Sequence, residues 1–176
     1  GTGSARRKIQ AARIYPDAEF KGIRGNIHTR LRKLDSGEYD ALILAAAGMI
    51  RMGLQDRISR YFSVEEIIPP AGQGIMAVQG RKDDSYPFLI KINSPKSQAM
   101  AEAERSFVKT LDGGCSSPIA ACALIEGDRL KLRGLYFEEK SGRWVVGSLE
   151  GSVQGPAELG RSLALRLKSE IEQEKV

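Results

Sequence analysis

Residues 24–48 read RGNIHTRLRKLDSGEYDALILAAAG, and this stretch decides the fold. Its pattern predicts a short strand that arrives at Arg24, a helix that begins at Asn26 and stops at Gly37, and a buried strand through residues 42–44. Asparagine is a favoured N-cap, glycine suits the left-handed position that ends a helix, and a run of large aliphatic residues is typical of a sheet interior. The stretch is therefore expected to form a strand–helix–strand unit of an α/β lobe.

Arginines flank this helix start, and the same arrangement occurs earlier in the chain. Arg24 and Arg30 bracket the first turn of the helix, whose free N–H groups already favour anions. A turn of small residues that ends at Ser4 opens an earlier helix, and Arg6 and Arg7 lie in its first turn. Because cations at a helix start oppose the helix dipole, something negative is expected nearby. Both helix starts predict binding of carboxylate or phosphate groups.

The basic residues are concentrated in the first third of the chain. Residues 1–60 contain 12 Lys and Arg, nine of them Arg, against six Asp and Glu, whereas residues 61–176 contain 15 against 16. The net charge of +5 therefore arises in the first third. A solvated basic face is one interpretation. The predominance of arginine, whose planar group binds carboxylate and phosphate through paired hydrogen bonds, favours an anion site.

Composition limits the class of protein. The chain has 176 residues, of which 41% are hydrophobic and 28% charged, as in globular domains that bury a core. No apolar run approaches the length of about 20 residues that a membrane helix needs, and the first residues do not form a signal peptide. Two cysteines, Cys115 and Cys122, give no disulfide framework, so a cytoplasmic protein is expected.

The remainder of the chain predicts two further parts. Pro69 and Pro70 precede a Gly-Gln-Gly sequence, which is typical of a crossing between domains, and a strand is expected at residues 75–79. Beyond Ser94 the pattern predicts a long helix, a three-stranded antiparallel sheet and a terminal helix. The expected domain limits are 1–68, 69–93 and 94–176. The expected elements of the last part are residues 95–111, 118–125, 129–137, 144–149 and 156–174.

Cys115 differs from the other cysteine. Cys122 lies in an apolar strand pattern and is interpreted as a small buried hydrophobic residue. Cys115 lies in a Gly-Gly-Cys-Ser-Ser sequence, where no core requires it and the glycines leave the thiol accessible. An accessible thiol suits a nucleophile or a covalent attachment point, so a chemical role and a plain loop residue both remain open. No neighbouring Cys or His suggests a metal, and none is expected.

Several of these segments resemble the porphobilinogen deaminase family, whose members are also called hydroxymethylbilane synthases. The similarity rests on residues 1–8, 24–48 and 72–74, and on residues 104–107 leading to 113–115, which occur in the family's order. The match over residues 24–48 is highly specific and that of the cysteine loop nearly so, whereas Gly-Gln-Gly alone is a weak signal.

The resemblance implies a three-domain enzyme whose dipyrromethane cofactor is attached to Cys115 by a thioether. Residues 1–68 would then be part of domain 2, an α/β lobe similar to periplasmic binding proteins. Residues 69–93 would cross between domains and include a return segment of domain 1. Residues 94–176 would form domain 3, a small α+β domain that presents the cysteine.

The same resemblance assigns roles to individual residues. Arg51 matches an arginine associated with the incoming substrate, and Gln73 lies on the connection that borders the active cleft. The residues that match the family's contacts to cofactor and substrate carboxylates are Thr2, Ser4, Arg6, Arg7, Arg24 and Arg30.

The implied reaction joins four porphobilinogen units into the linear tetrapyrrole hydroxymethylbilane, with release of ammonia. Each unit brings an acetate and a propionate, so grouped arginines suit the growing chain. The family's catalytic aspartate, preceded by lysine, belongs to an N-terminal domain that this sequence does not include, and residues 82–84 offer only a superficial match. The 176 residues are therefore expected to be inactive without that domain, and the full-length enzyme is expected to be a monomer.

Two other classes of function remain open. A non-enzymatic module for small carboxylates explains the basic first third but gives Cys115 no role. A nucleic-acid-binding module would use the same arginines, yet these are not interleaved with aromatic residues, which make up only 6% of the chain. Neither nucleic acid nor a membrane is expected as a partner. The single histidine, His28, is interpreted as a helix-surface residue because imidazole catalysis usually needs a partner.

Overall fold

The computed structural model describes residues 1–113 and 117–173. The chain divides into two compact units, residues 1–67 and residues 68–176. The described residues of the first unit form helices without a strand, whereas those of the second unit form one sheet and three α-helices. The division into parts at 1–68, 69–93 and 94–176 stays a prediction.

Local signals define the helices of the first unit. Its elements are α1 (Ala5–Ile14), α2 (Ile27–Asp35), α3 (Ala46–Arg51) and a 3₁₀ turn (Gln55–Arg57). The Ser4 side chain accepts a hydrogen bond from the Arg7 N–H, and the Asn26 side chain accepts one from the Thr29 N–H, so both long helices have a side-chain N-cap. Gly37 has φ of 77° directly after the C-cap of α2. The predicted start and stop of this helix are confirmed.

The predicted strands of the first unit are wrong. Residues 42–44 are only half-buried, and in the described part of the unit their pairing is confined to Gly1, whose carbonyl accepts from the Ile43 N–H at 3.1 Å. Towards Arg24, the Lys21 carbonyl accepts from the Thr2 N–H at 3.0 Å. A strand requires a ladder of hydrogen bonds over several residues, and these isolated bonds are too few to form one.

Each α-helix of the first unit contributes a buried apolar side chain. Ala11 of α1, Leu31 of α2, Met49 of α3 and Ile23 of the segment between α1 and α2 are each at most 7% exposed. Removal of these apolar side chains from water stabilises the unit.

The second unit contains the predicted antiparallel sheet. Its strands are β1 (Ala120–Glu126), β2 (Arg129–Glu138) and β3 (Arg143–Ser152), in the order β1-β2-β3. Leu132 of β2 lies opposite Ala123 of β1 and Leu149 of β3. Its helices are α4 (Pro87–Ile92), α5 (Pro95–Thr110) and α6 (Pro156–Gln173). The three-stranded antiparallel sheet predicted from the sequence is confirmed.

One face of this sheet packs against α5 and α6. Phe107 of α5, Leu132 of β2 and Leu163 of α6 are fully buried in the same core. The two helices approach closely at Gly160, where an added Cβ would lie 2.2 Å from the Ala103 carbonyl oxygen. Among the described residues, no helix combines the length and the apolarity needed to cross a membrane.

The segment between the linker and α5 differs from the prediction. Residues 75–79 do not form a strand, because no neighbouring segment of the described chain pairs with them. Their apolar side chains point to solvent: Met76 is 89% exposed and Val78 is 60% exposed. The short helix α4 also exposes Ile90, at 82%. This stretch therefore presents a series of uncovered apolar side chains.

Gly160→Ala is expected to lower the free energy of unfolding by about 1–3 kcal/mol, because the new methyl group meets backbone atoms that cannot rotate away. This loss outweighs the gain of roughly 1 kcal/mol in helix propensity. Gly74→Ala is the matched control, since an added Cβ there meets nothing within 4 Å. Urea unfolding measures both variants, and equal stabilities would contradict the close helix contact.

Candidate functional site

The starts of α1 and α2 line an open cavity of about 810 Å³ within the first unit. We call it the cation cavity, because its lining includes five basic side chains and no acidic residue among the described residues. The five cations are Arg7, Lys8, Arg24, Arg30 and Lys33. The N-terminal turn of α1 adds Thr2 and Ser4 to the lining. Such a lining is complementary to a ligand with several negative charges.

Thr2 and Ser4 shape the entrance to α1. Thr2 is buried, and its hydroxyl oxygen accepts a hydrogen bond from the Ser4 N–H at 3.2 Å. The Ser4 hydroxyl oxygen accepts from the Arg7 N–H at 3.4 Å as the N-cap. These two bonds fix the turn that brings Arg7 to the cavity.

Backbone carbonyls hold two of the guanidinium groups in place. Arg7 Nη1 donates to the Ile43 carbonyl at 3.0 Å, and Arg30 Nε donates to the Gly25 carbonyl at 2.7 Å. Gly25 has φ of 115°, and an added Cβ there would lie 2.8 Å from Thr29 Cγ2. Glycine is therefore required for the turn that presents this carbonyl to Arg30.

Burial and like charges disfavour the positive charge at this site. Burial lowers the pKa of Arg6, and the neighbouring Arg7 lowers it further. Burial likewise lowers the pKa of Arg7, with Arg30 as the second cause. Guanidinium groups nevertheless remain protonated at neutral pH, so their mutual repulsion persists. A bound anion would relieve this repulsion.

The structure brings five of the residues predicted to bind the cofactor around one cavity, namely Thr2, Ser4, Arg7, Arg24 and Arg30. Arg6, adjacent to them in α1, is half-buried and is not part of the lining. Arg51 is exposed at the end of α3 and is not part of this lining. The roles of all these residues stay predictions.

Of the other two predicted positions, only Gln73 is described, and it lies in the second unit. Gln73 is exposed in a turn in which its N–H donates to the Pro70 carbonyl at 3.1 Å. Cys115, the predicted attachment point, lies outside the described residues.

The sequence interpretation missed two lysines of the cavity. Lys33 lies three positions after Arg30 in α2, and residues at that spacing share a helix face. Lys8 directly follows Arg7 in the first turns of α1. The three-residue spacing from Arg30 could have predicted that Lys33 shares its helix face. The position of Lys8 could not be predicted in this way, because it depends on how α1 packs.

Glu104 is a buried carboxylate that joins two parts of the second unit. Its side chain belongs to α5 and is only 6% exposed. One oxygen accepts from the Gly72 N–H at 2.6 Å, and the other accepts from the Ala123 N–H at 2.8 Å. Burial raises its pKa, although both hydrogen bonds oppose the rise. Glu104 thus ties the Gly-Gln-Gly turn to strand β1, and its pattern in the sequence had indicated no role.

Cys122 lies on the opposite face of the sheet from α5 and α6, beside Phe137 and Trp144. Its thiol is half-buried and has no disulfide partner among the described residues. Burial, and secondarily the charge of Glu104, raise its pKa to about 11. A thiol with this pKa is almost entirely protonated at neutral pH and is a poor nucleophile, as expected for a residue of the core.

Two family models match the chain. Residues 1–87 match "Porphobilinogen deaminase, dipyromethane cofactor binding domain", and residues 99–169 match "Porphobilinogen deaminase, C-terminal domain". The first match contains the whole cation cavity, and the second contains the sheet and most of α5 and α6.

Curated relatives carry the same family name. A protein of Ruminiclostridium cellulolyticum named porphobilinogen deaminase is 48% identical over 169 residues, which are 96% of this chain and 58% of the relative. A protein of that name from Acetivibrio thermocellus is 47% identical over 95% of this chain and 57% of its own length. A third, from Nitrobacter winogradskyi, is 38% identical over 96% and 54%. The chain thus spans less than two thirds of the length of these relatives.

The first unit contains a cavity lined by three arginines and two lysines, and its charge is complementary to acidic ligands. The two family models and the relatives identify the family. The chain belongs to the porphobilinogen deaminase family and carries that family's dipyrromethane cofactor binding domain.

Glu104→Gln is expected to lower the free energy of unfolding by about 1–3 kcal/mol, because an amide NH₂ replaces one accepting oxygen and leaves a buried N–H without a partner. The effect should depend on pH. Since the pKa of Glu104 is raised above its usual 4.5 in the folded chain, its contribution to stability is largest below that pH and falls as the pH rises through the raised pKa.

The loss in Glu104→Gln should therefore be larger near pH 4 than near pH 7, as measured by urea unfolding at about those two pH values. Glu102→Gln is the matched control, because Glu102 lies on the same helix and is exposed. A loss that grows with pH would contradict the assigned direction of the shift.

Cys122 is expected to react slowly with iodoacetamide in the folded chain. At about pH 8 its alkylation should be at least tenfold slower than in the chain unfolded by guanidinium, because the raised pKa leaves little thiolate. Peptide-level mass spectrometry measures the two rates. Equal rates would show that the thiol is not shielded from the reagent and that its pKa is not raised.

Proposed function

We propose that the cation cavity holds the acetate and propionate groups of a dipyrromethane and of the pyrrole chain that grows on it. The observation that carries this proposal is the set of five basic side chains without an acidic neighbour in the lining. The donor set fits the group, because each pyrrole ring of a dipyrromethane carries two acidic side chains that guanidinium and ammonium groups can pair with.

The proposed activity of the full-length protein is that of a transferase. It joins four porphobilinogen units into hydroxymethylbilane and releases ammonia, as the family name of the relatives supports. Cys115 is the proposed thioether attachment point, and Arg51 and Gln73 are proposed to contact substrate. When bound, the dipyrromethane supplies a free pyrrole carbon to which the next unit is joined. The proposed cofactor-binding residues remain Thr2, Ser4, Arg6, Arg7, Arg24 and Arg30.

The residues of the cavity contribute binding and electrostatics rather than proton transfer. Arg7 and Arg30 already donate to fixed carbonyl groups, so their remaining N–H groups are oriented before a ligand arrives. Guanidinium groups do not release protons near neutral pH, so an acid–base group has to come from elsewhere. The resemblance assigns this role to an aspartate in the part of the relatives that this chain does not span. We therefore propose that the 176 residues alone do not catalyse the reaction.

The exposed apolar side chains of residues 69–93 support the proposed domain arrangement. Residues 69–93 are proposed to cross between domains and return to domain 1 of the full-length enzyme. Met76, Val78 and Ile90 are apolar and strongly exposed, as expected for side chains that another part of the protein covers. The likeness of residues 1–68 to periplasmic binding proteins remains part of the same proposal.

A second candidate is a module that binds small carboxylates without catalysis. One observation favours it: the cation cavity is formed entirely by residues of the first unit. This function would not require a covalent link to Cys115, so the state of that cysteine separates the two candidates. Nucleic acid remains an unexpected partner, and binding that weakens steeply with salt would contradict that expectation.

Intact mass spectrometry tests the proposed attachment. The chain, produced in a bacterium that makes tetrapyrroles, is expected to be heavier than its sequence mass by two linked pyrrole units. Cys115→Ser should remove the excess, whereas Cys122→Ser should retain it, because the Cys122 thiol is half-buried and protonated. An excess that persists in Cys115→Ser, or no excess in the full-length protein that includes the part this chain does not span, would contradict the thioether and favour the simple binding module. Formation of hydroxymethylbilane by the 176 residues alone would refute the proposed need for the missing part.

A further inference from the structure

We propose that Lys33 is a further carboxylate-binding residue of the cation cavity and that Glu38 competes with the ligand for it. The inference rests on the proposed function of this cavity. It adds a cation whose engagement depends on the ligand, beside arginines that the backbone holds in place.

Lys33 is positioned by α2 between the cavity and an acidic residue. It lines the cavity together with Arg30, which lies one helical turn earlier on the same helix. Its Nζ lies 3.2 Å from Glu38 Oε1. Glu38 does not contribute to the cavity lining, so the pair directs Lys33 away from a ligand.

The helix stop fixes the position of Glu38. The Gly37 N–H donates to the Leu34 carbonyl, and the Glu38 N–H donates to the Lys33 carbonyl, both at 3.0 Å. These two bonds form a Schellman motif, with Gly37 at φ of 77° in the left-handed position. The motif holds the backbone of Glu38 beside that of Lys33, so the two side chains are within reach of each other.

The ion pair between Lys33 and Glu38 is weak enough to exchange. The side chains are 37% and 51% exposed, and an exposed pair of this kind contributes little to stability. A carboxylate in the cavity, which is surrounded by further cations and partly shielded from water, is a stronger partner for the ammonium group. Lys33 also has a long flexible stem and can turn between the two partners.

Arg7 and Arg30 behave differently because each donates to a backbone carbonyl. These carbonyls carry no net charge and do not compete electrostatically with a carboxylate. The cavity thus combines two fixed guanidinium groups with the ammonium group of Lys33, which leaves Glu38 when a carboxylate binds. Such a pair would adapt the number of engaged cations to ligands with different numbers of acidic groups.

Citrate binding to the 176-residue chain, measured by titration calorimetry at low ionic strength, tests this exchange. Glu38→Gln is expected to tighten citrate binding by about two- to fivefold, because Lys33 no longer has a competing partner. Lys33→Gln is expected to weaken it by a similar factor of about two to five. In the Lys33→Gln background, Glu38→Gln should have no further effect.

Asp35→Asn is the matched control, because it removes the same charge from the end of α2. Asp35 pairs with Arg57, which is not part of the cavity lining, so citrate affinity should not change. An equal tightening in Asp35→Asn, or an effect of Glu38→Gln that persists without Lys33, would overturn the exchange and leave only long-range electrostatics.

Arg24→Gln distinguishes a failure of this inference from a failure of the proposed function. Weaker citrate binding in Arg24→Gln together with unchanged binding in the Lys33 and Glu38 variants would overturn the exchange and keep the anion site. Absence of citrate binding by the unaltered chain would overturn both.

Discussion

The grouping of partly buried cations is the constraint on which the first unit depends. Burial disfavours the charges of Arg6 and Arg7, and like charges add to this effect, Arg7 acting on Arg6 and Arg30 acting on Arg7. Uncharged backbone carbonyl groups accept hydrogen bonds from two of these guanidinium groups, those of Arg7 and Arg30. In the described lining these cations have no acidic neighbour, so the surface is complementary to an acidic ligand.

The second unit contains a buried acidic residue, Glu104, in its core. A carboxylate among apolar residues is unfavourable unless N–H groups donate to it, and Glu104 receives two. Because these donors belong to the Gly-Gln-Gly turn and to strand β1, the same bonds that satisfy the charge also connect the turn to the sheet. Positioning of the Gln73 turn is therefore a direct result of how Glu104 is accommodated.

Helix caps and strands joined by short turns were predicted from the sequence, whereas the contacts of other residues with distant partners were not. The cap at Asn26 and the stop at Gly37 define α2 through bonds within a few residues. The apolar run at residues 42–44 suggested a strand, but a strand exists only if partners align with it over several residues. Likewise, Glu104 reads as an ordinary helix residue, because its partners lie 32 and 19 positions away. The arginines were found because they cluster at helix starts, which the sequence shows directly.

The contacts along β1 also determine where the sheet can accept another strand. Ala121 and Ala123 have N–H groups on the side of β1 that faces away from β2. The Pro69 carbonyl accepts from Ala121 at 3.2 Å, and Glu104 accepts from Ala123. Because two of the outward donors of β1 already have acceptors, this border is a poorer template for intermolecular β-pairing than an edge whose N–H groups are all unpaired.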